Sequence, residues 1–332
     1  MRVLLAGGVF RKSPEGIAAQ QPTPEIVLTA GLREAGIFVE NVPLEDRWTI
    51  ARARSYDVVH VHHLSRAAVA AAMFPRRSPM VFTAHSAAVP PTRRQRLGLS
   101  VVTHCMAAGV CLSDAEAELR SGWFPSARER MIVIPNGMAL PNEAVIPRAL
   151  ANEDVRVLFV GQLADVKRVH LIIEALVQHE HLTLRLVYHN DQLESSLRAL
   201  AAELGVANRV TFVGRRSGVE LFDEYRAAHV LLLPSRSEAL PSVVTEALST
   251  GLPVIASDVG GVRGQVQSAG ILIDTDDTSA VERALRRLTE SYATYSSLAA
   301  ERAGQVRREF SVDDMVQRHV SLYEDVVKKV KR

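Results

Sequence analysis

Twelve short apolar runs, separated by stretches with helical patterning, constrain this chain more than any other feature. In the first half they fall at residues 3–6, 38–42, 58–61, 80–84, 109–112 and 131–134; in the second, at 155–160, 182–188, 210–213, 230–233, 253–256 and 271–273. Most are continuously apolar rather than alternating, as strands buried on both faces of a parallel sheet are. The gaps fit a crossover helix and are too long for a hairpin. Two sets of six predict an α/β fold of two doubly wound, Rossmann-like domains.

The boundary falls after the sixth run. Pro135-Asn136-Gly137 is a turn signature, and Pro141, Asn142 and Pro147 follow in a poorly periodic stretch. This predicts an N-terminal domain over 1–143, a hinge near 138–150 and a C-terminal domain over 150–311. Residues 312–332 are amphipathic, with Met315, Val316, His319, Val320, Tyr323 and Val327 at helical spacing. Ligands of such sheets bind beyond the carboxyl ends of the strands, so the residues that follow strands carry the functional expectation.

Composition narrows the class. The 332 residues carry 39 Lys plus Arg against 37 Asp plus Glu, a net charge of +2, which excludes nucleic-acid binding by bulk electrostatics. The longest apolar runs are about eight residues, too short to span a bilayer. Met1-Arg2 followed by an apolar stretch mimics a leader, but Arg11 and Lys12 follow with no small-residue cleavage site, which predicts a first core strand instead. Two cysteines, Cys105 and Cys111, make neither a disulfide framework nor a zinc motif, and they read as reduced thiols of a cytoplasmic protein.

The densest chemistry lies in HVLLLPSRSEALPSVVTEALSTGLPVIASDVGGV, residues 229–262. A buried strand ends at Pro234, a loop runs through Leu240, and Pro241 suits the first turn of a helix. Ser242 and Val243 then present backbone N–H groups at a helix N-terminus, a place for phosphate. Glu238 precedes this helix and Glu246 lies within it, eight residues on. Two carboxylates flanking an anion site suit a ligand bearing both phosphate and hydroxyls, such as a sugar nucleotide. On spacing alone, two solvated glutamates near a helix start fit better.

The letters shift that balance. The segment resembles the signature of glycosyltransferase family 4, the retaining, nucleotide-sugar-dependent enzymes of the GT-B fold. So do VLFVGQLADVKRVHLIIEAL (157–176), DVVHVHH (57–63), TAHS (83–86), CLSDAEAELR (111–120) and VIPNG (133–137), in order along nearly the whole chain. The resemblance implies two domains facing across a cleft, with the final helix crossing back to the first. It implies that Glu238 binds hydroxyls of the transferred sugar and that Glu246 holds the ribose hydroxyls. Lys167 would neutralise the diphosphate, and His85 would line the donor-sugar pocket. His85, Lys167 and Glu238 are thus the implied catalytic residues, with Gly16, Gln162, Arg168, Leu240, Ser242 and Val243 on the donor side. Glu15, where the family usually has glycine, would stand on the acceptor side with His62 and His63. The implied donor is a UDP-sugar, and no metal or other cofactor is required. The acceptor is a small molecule, glycan or lipid-linked species.

Two departures from the family pattern bear on the diphosphate. Gln162 stands where the family usually has arginine, and Arg168 where it often has glycine. A missing positive charge beside the leaving group predicts that Arg168, or else Arg236, supplies it.

Three further patterns read as structural. His60, His62 and His63 lack a matching carboxylate or cysteine set, so strand-end histidines lining a cleft are favoured over a metal site. Asp274-Thr275-Asp276 fits a metal-binding DxD, but its place before a helix favours Asp277 or Thr278 as an N-cap. Arg93, Arg94 and Arg96 read as a solvated helix face, with contact to a membrane surface or a phosphorylated acceptor less favoured. Two other functions stay open at this point: a sugar-nucleotide epimerase on the same fold, and a non-catalytic nucleotide-binding partner protein.

Overall fold

The computed structural model describes residues 1–13, 23–44, 53–73, 78–84, 91–150, 155–274 and 276–331. Glu15, Gly16 and His85 lie outside these residues. The chain divides into two compact units: Met1–Ala139 together with Glu309–Arg332, and Leu140–Arg308. All twelve apolar runs are strands, each within one residue of its expected ends.

The first unit carries β1 (Arg2–Gly7), β2 (Phe38–Pro43), β3 (Val58–His62), β4 (Met80–Thr83), β5 (Ala108–Cys111) and β6 (Met131–Val133). They form one sheet in the order β2-β1-β3-β4-β5-β6, and every pairing is parallel. Its helices are α1 (Pro24–Glu34), α2 (Arg66–Met73), α3 (Arg93–Cys105) and α4 (Asp114–Trp123). The period of two divides β1 between two cores: Leu4 and Ala6 enter one, Val3 and Leu5 the other. Side-chain oxygens cap the starts of α3 and α4, whereas Thr23 before α1 makes no such bond. Thr92 accepts from Gln95 N while Gln95 Oε1 accepts from Thr92 N, and Ser113 accepts from Glu116 N.

The final helix, numbered α12 below (Val312–Lys331), belongs to this first unit and packs against α1. Its Met315, Val316, Leu322, Tyr323 and Val326 complete the core that holds Val3 and Leu5. The approach is close: a Cβ at Gly31 of α1 would stand 2.4 Å from Val316 Cγ2. The same helix corrects the reading of His60. That imidazole is fully buried rather than lining a cleft, with Nδ1 2.7 Å from the Tyr323 hydroxyl and Nε2 2.8 Å from Thr83 Oγ1. His60 faces the core because the continuously buried β3 has helices on both of its faces.

The second unit carries β7 (Val155–Gly161), β8 (Leu182–Tyr188), β9 (Val210–Gly214), β10 (Val230–Leu233), β11 (Val254–Ser257) and β12 (Gly270–Ile273). The order is β12-β11-β10-β7-β8-β9, again all parallel. Around it lie α5 (His170–Ala175), α6 (Glu194–Glu203), α7 (Gly218–Ala227), α8 (Ser242–Ser249), α9 (Val262–Val266), α10 (Ala280–Glu290) and α11 (Tyr292–Glu309), ahead of α12. Residues 140–150 have no regular secondary structure and run along this unit, where Arg148 donates to the carbonyls of Ala228 and Thr250 at 3.0 and 2.9 Å. The N-cap of α10 is Ser279, not Asp277 or Thr278. Asp277 instead turns its carboxylate onto Ser279 N, two residues on, and pairs with Arg283. Asp274 likewise accepts from Asp276 N.

Candidate active site

The winding of the second sheet reverses between β7 and β10, which are neighbours although two strands separate them in sequence. Outside the carboxyl ends of two such strands lies the crevice where doubly wound sheets hold ligands. β7 ends at Gly161 and leads through a short turn, Asp165–Lys167, into α5; β10 ends at Leu233 and leads through the Glu238 loop into α8. The two loops are tied by a backbone bond from Arg236 N to Val166 O at 2.8 Å.

At this point Lys167 Nζ meets Glu238 Oε1 at 2.6 Å, with the side chains 19% and 11% exposed. The two residues stand 71 positions apart and come together only through the pairing of β7 with β10. An ion pair this far from water has lost hydration that its mutual attraction only partly restores. A ligand that gives the ammonium a phosphate and the carboxylate hydroxyl donors replaces the pair without leaving either charge alone.

The Glu238 loop is braced from β11. Gly261 N donates to Ala239 O at 2.7 Å, and Gly260 has φ +54. A Cβ at Gly260 would stand 2.0 Å from Glu238 O and 2.8 Å from Ala239 O, so this turn requires glycine for both conformation and space.

Helix α8 begins at Ser242, with Pro241 in the N-cap position rather than inside the first turn. Gln265 of α9 fixes this start by donating to Pro241 O at 3.0 Å and to Thr245 Oγ1 at 2.7 Å. Ser242 is exposed, and Leu240 and Val243 are partly buried. One turn into the helix, Glu246 Oε2 accepts from the Tyr225 hydroxyl at 2.6 Å. Burial pushes the Glu246 carboxyl above its ordinary value, and the Tyr225 bond opposes that shift.

Gln162 follows Gly161, and its side-chain amide lies 3.3 Å from His189 Nε2, just past the end of β8. Arg168 is buried in a left-handed backbone, φ 53. That conformation, where the family often has glycine, costs an arginine about 1 kcal/mol.

In the first unit, His62 is buried and His63, just beyond β3, is 44% exposed on its side chain with φ 67. His63 Nε2 lies 3.0 Å from Glu25 Oε1, and Glu25 is buried in the first turn of α1. Burial opposes ionisation of Glu25, but the His63 bond and the charge at His62 hold its carboxyl well below the usual range. Arg93, Arg94 and Arg96 are exposed in the first turns of α3.

Glu25, Tyr225 and Gln265 are absent from the sequence-based site. Each acts by touching a residue already in it, and no local motif marks such a contact. Glu25 alone left a trace, an acid directly after Pro24 at a helix start.

The mixed cation–carboxylate pair stands at the switch point, beside a helix N-terminus, where doubly wound α/β units hold ligands. Residues 143–304 match the glycosyl transferases group 1, and residues 23–140 match glycosyltransferase family 4. The D-inositol 3-phosphate glycosyltransferase of Xylanimonas cellulosilytica is 30% identical over 308 residues, spanning 82% of this chain and 73% of that protein. The protein of the same description from Geodermatophilus obscurus is 29% identical over 304 residues, spanning 82% and 68%. Anabaena HepE in complex with UDP shares the fold with a TM-score of 0.77 at 19% identity, covering 98% of this chain and 100% of that one. The lipopolysaccharide outer core galactosyltransferase WaaB does so at 0.75 and 15%, with 98% and 100% covered. The chain belongs to glycosyltransferase family 4 and is a glycosyltransferase of the GT-B fold.

Proposed function

We propose that this enzyme transfers a sugar, with retention of anomeric configuration, from a nucleoside diphosphate sugar to a hydroxyl-bearing acceptor. The observation that carries the reading is the Lys167–Glu238 pair at the switch point of the second sheet. Its two members suit the two halves of such a donor: an ammonium for the diphosphate, a carboxylate for sugar hydroxyls. UDP is the favoured nucleotide, because structures of the same fold have been solved with UDP and with UDP-glucose.

In this reading Glu246 accepts hydrogen bonds from the ribose, and the first N–H groups of α8 face phosphate oxygens. The bond from the sugar's anomeric carbon to the β-phosphate oxygen breaks as the acceptor oxygen bonds to that carbon on the same face. The acceptor proton passes to the departing phosphate oxygen. Lys167 stabilises the charge that accumulates there, so catalysis needs no divalent metal. On the first unit, the exposed His63 serves the acceptor side, with the buried His62 behind it. The free thiols of Cys105 and Cys111 support a cytoplasmic setting. Among the described residues no helix is long and apolar enough to cross a membrane.

The test has two arms. Turnover of a UDP-sugar should survive excess EDTA, with the donor's anomeric configuration kept in the product by NMR; loss in EDTA and rescue by manganese would overturn the metal-free mechanism. Glu238→Ala should abolish most turnover while sparing UDP affinity, and Glu246→Ala should weaken UDP by about 1.5–3 kcal/mol. Equal UDP affinity in both variants and wild type would defeat the assignment.

A further inference from the structure

Tyr225 is fully buried on α7, and its hydroxyl meets Glu246 Oε2 at 2.6 Å. We propose that Tyr225 is a positioning residue: by occupying Oε2 it aims Oε1 of Glu246 at the ribose hydroxyls of the donor. The proposal rests on the reading that Glu246 binds ribose.

The argument starts from the carboxylate. A glutamate on a helix surface has three side-chain torsions, the last of them broad, so an unsecured carboxylate spreads over many orientations. The Tyr225 hydroxyl, carried on a rigid ring packed beside Phe222, removes that freedom before any ligand arrives. The bond also selects the chemical form. Ribose hydroxyls need acceptors, and an ionised carboxylate offers only acceptors, whereas a protonated one spends an oxygen as a donor.

Burial works against the ionised form of Glu246, and Tyr225 counters it. The phenol itself is pushed well above its ordinary range by burial and by Glu246, so it remains the donor. Among the described residues, the other elements packed on α8 bring no charge to this carboxylate. From α9, Gln265 goes to Pro241 and Thr245, and Arg263 pairs with Asp258. Strand β11 carries no titratable residue. Arg148 and Arg307 reach the far end of the helix, at the carbonyls of Thr250 and Ser249.

Titration calorimetry of UDP and of 2′-deoxy-UDP into wild type and Tyr225→Phe decides the matter. The variant keeps the ring and loses only the hydroxyl. UDP binding at pH 7 should weaken roughly tenfold, and the acid limb of UDP binding should move to higher pH, because the bond that favours the ionised Glu246 is gone. The loss for 2′-deoxy-UDP should be about twofold or less, because one of the bonds that Glu246 makes is already gone. An equal loss for both nucleotides, an acid limb left in place, or no loss overturns the proposal. Wild type grown with 3-fluorotyrosine, whose hydroxyl is the stronger donor, provides a reading free of any mutant: the acid limb of UDP binding should move to lower pH, and an unmoved limb overturns the proposal. If wild type prefers GDP or ADP, that nucleotide and its 2′-deoxy form replace UDP. Wild type that binds none of the three overturns the donor reading and this proposal with it. Wild-type binding with an unselective Tyr225→Phe overturns this proposal alone.

Discussion

The docking of α12 on the first unit should be sensitive to acid, and His319 sets the size of the effect. This imidazole is buried between α12 and the sheet, with Nδ1 2.8 Å from Met315 O and its ring 5.5 Å from that of His60. Burial pushes it down to about 4. The unfolded chain takes up the same proton near pH 6.5. Between those values the unfolded state binds a proton that the native state refuses, so stability falls as pH drops from about 6.5 to 4. The full contribution is about 3 kcal/mol, of which about 2 kcal/mol appears between pH 7 and pH 5.

The assay can be confined to one unit. Both tryptophans, Trp48 and Trp123, belong to Met1–Ala139, so tryptophan fluorescence during urea unfolding follows the first unit alone. His319→Gln removes the titration while keeping a polar side chain of similar reach. Other groups titrate in both proteins, so the informative quantity is the difference. Wild type should lose about 2 kcal/mol more than His319→Gln between pH 7 and pH 5. Equal losses in the two proteins would refute the reasoning.

Further substitutions probe the active site. Gly260→Ala places a Cβ against Glu238 O in a left-handed turn, so steady-state turnover should fall at least about tenfold while UDP affinity, which depends on Glu246, stays near wild type; unchanged turnover would show that the turn does not position Glu238. Arg168→Ala should lower turnover strongly if Arg168 supplies the charge missing at Gln162, and Gln162→Arg in that background should restore part of it. Turnover like wild type in Arg168→Ala would transfer the role to Arg236 or dismiss it.

The twelve strands were legible because a parallel sheet buried on both faces leaves continuous apolar runs, a signal carried by each segment alone. Helix starts were less so. Ser279 rather than Asp277 holds the N-cap position of α10, without a side-chain cap bond, while Asp277 accepts from Ser279 N, a local arrangement that composition does not settle. His60 was placed in a cleft because strand position gives no account of what lies over the sheet. The chain that covers it, Tyr323 on α12, arrives from 263 residues away.

The same distinction orders the site. Glu238, Glu246 and Lys167 are visible as letters, but the reason Lys167 and Glu238 meet is topological. Lys167 and Glu238 follow strands that are third neighbours in sequence and first neighbours in the sheet, and that crossing brings them to 2.6 Å. The residues that hold the site in shape reach it from other elements: Tyr225 from α7, Gln265 from α9, Gly260 from the turn after β11. Their chemistry is generic, so a sequence pattern does not single them out. A transferase of this kind therefore separates two demands. The ligand fixes a few letters near strand ends, and the geometry of those letters is enforced by contacts free to come from anywhere the fold brings close. Gln162 is where the two demands meet. Its amide rests on His189, so if the donor's diphosphate needs a second positive charge, that charge comes through the fold, from Arg168 or Arg236, rather than from this position.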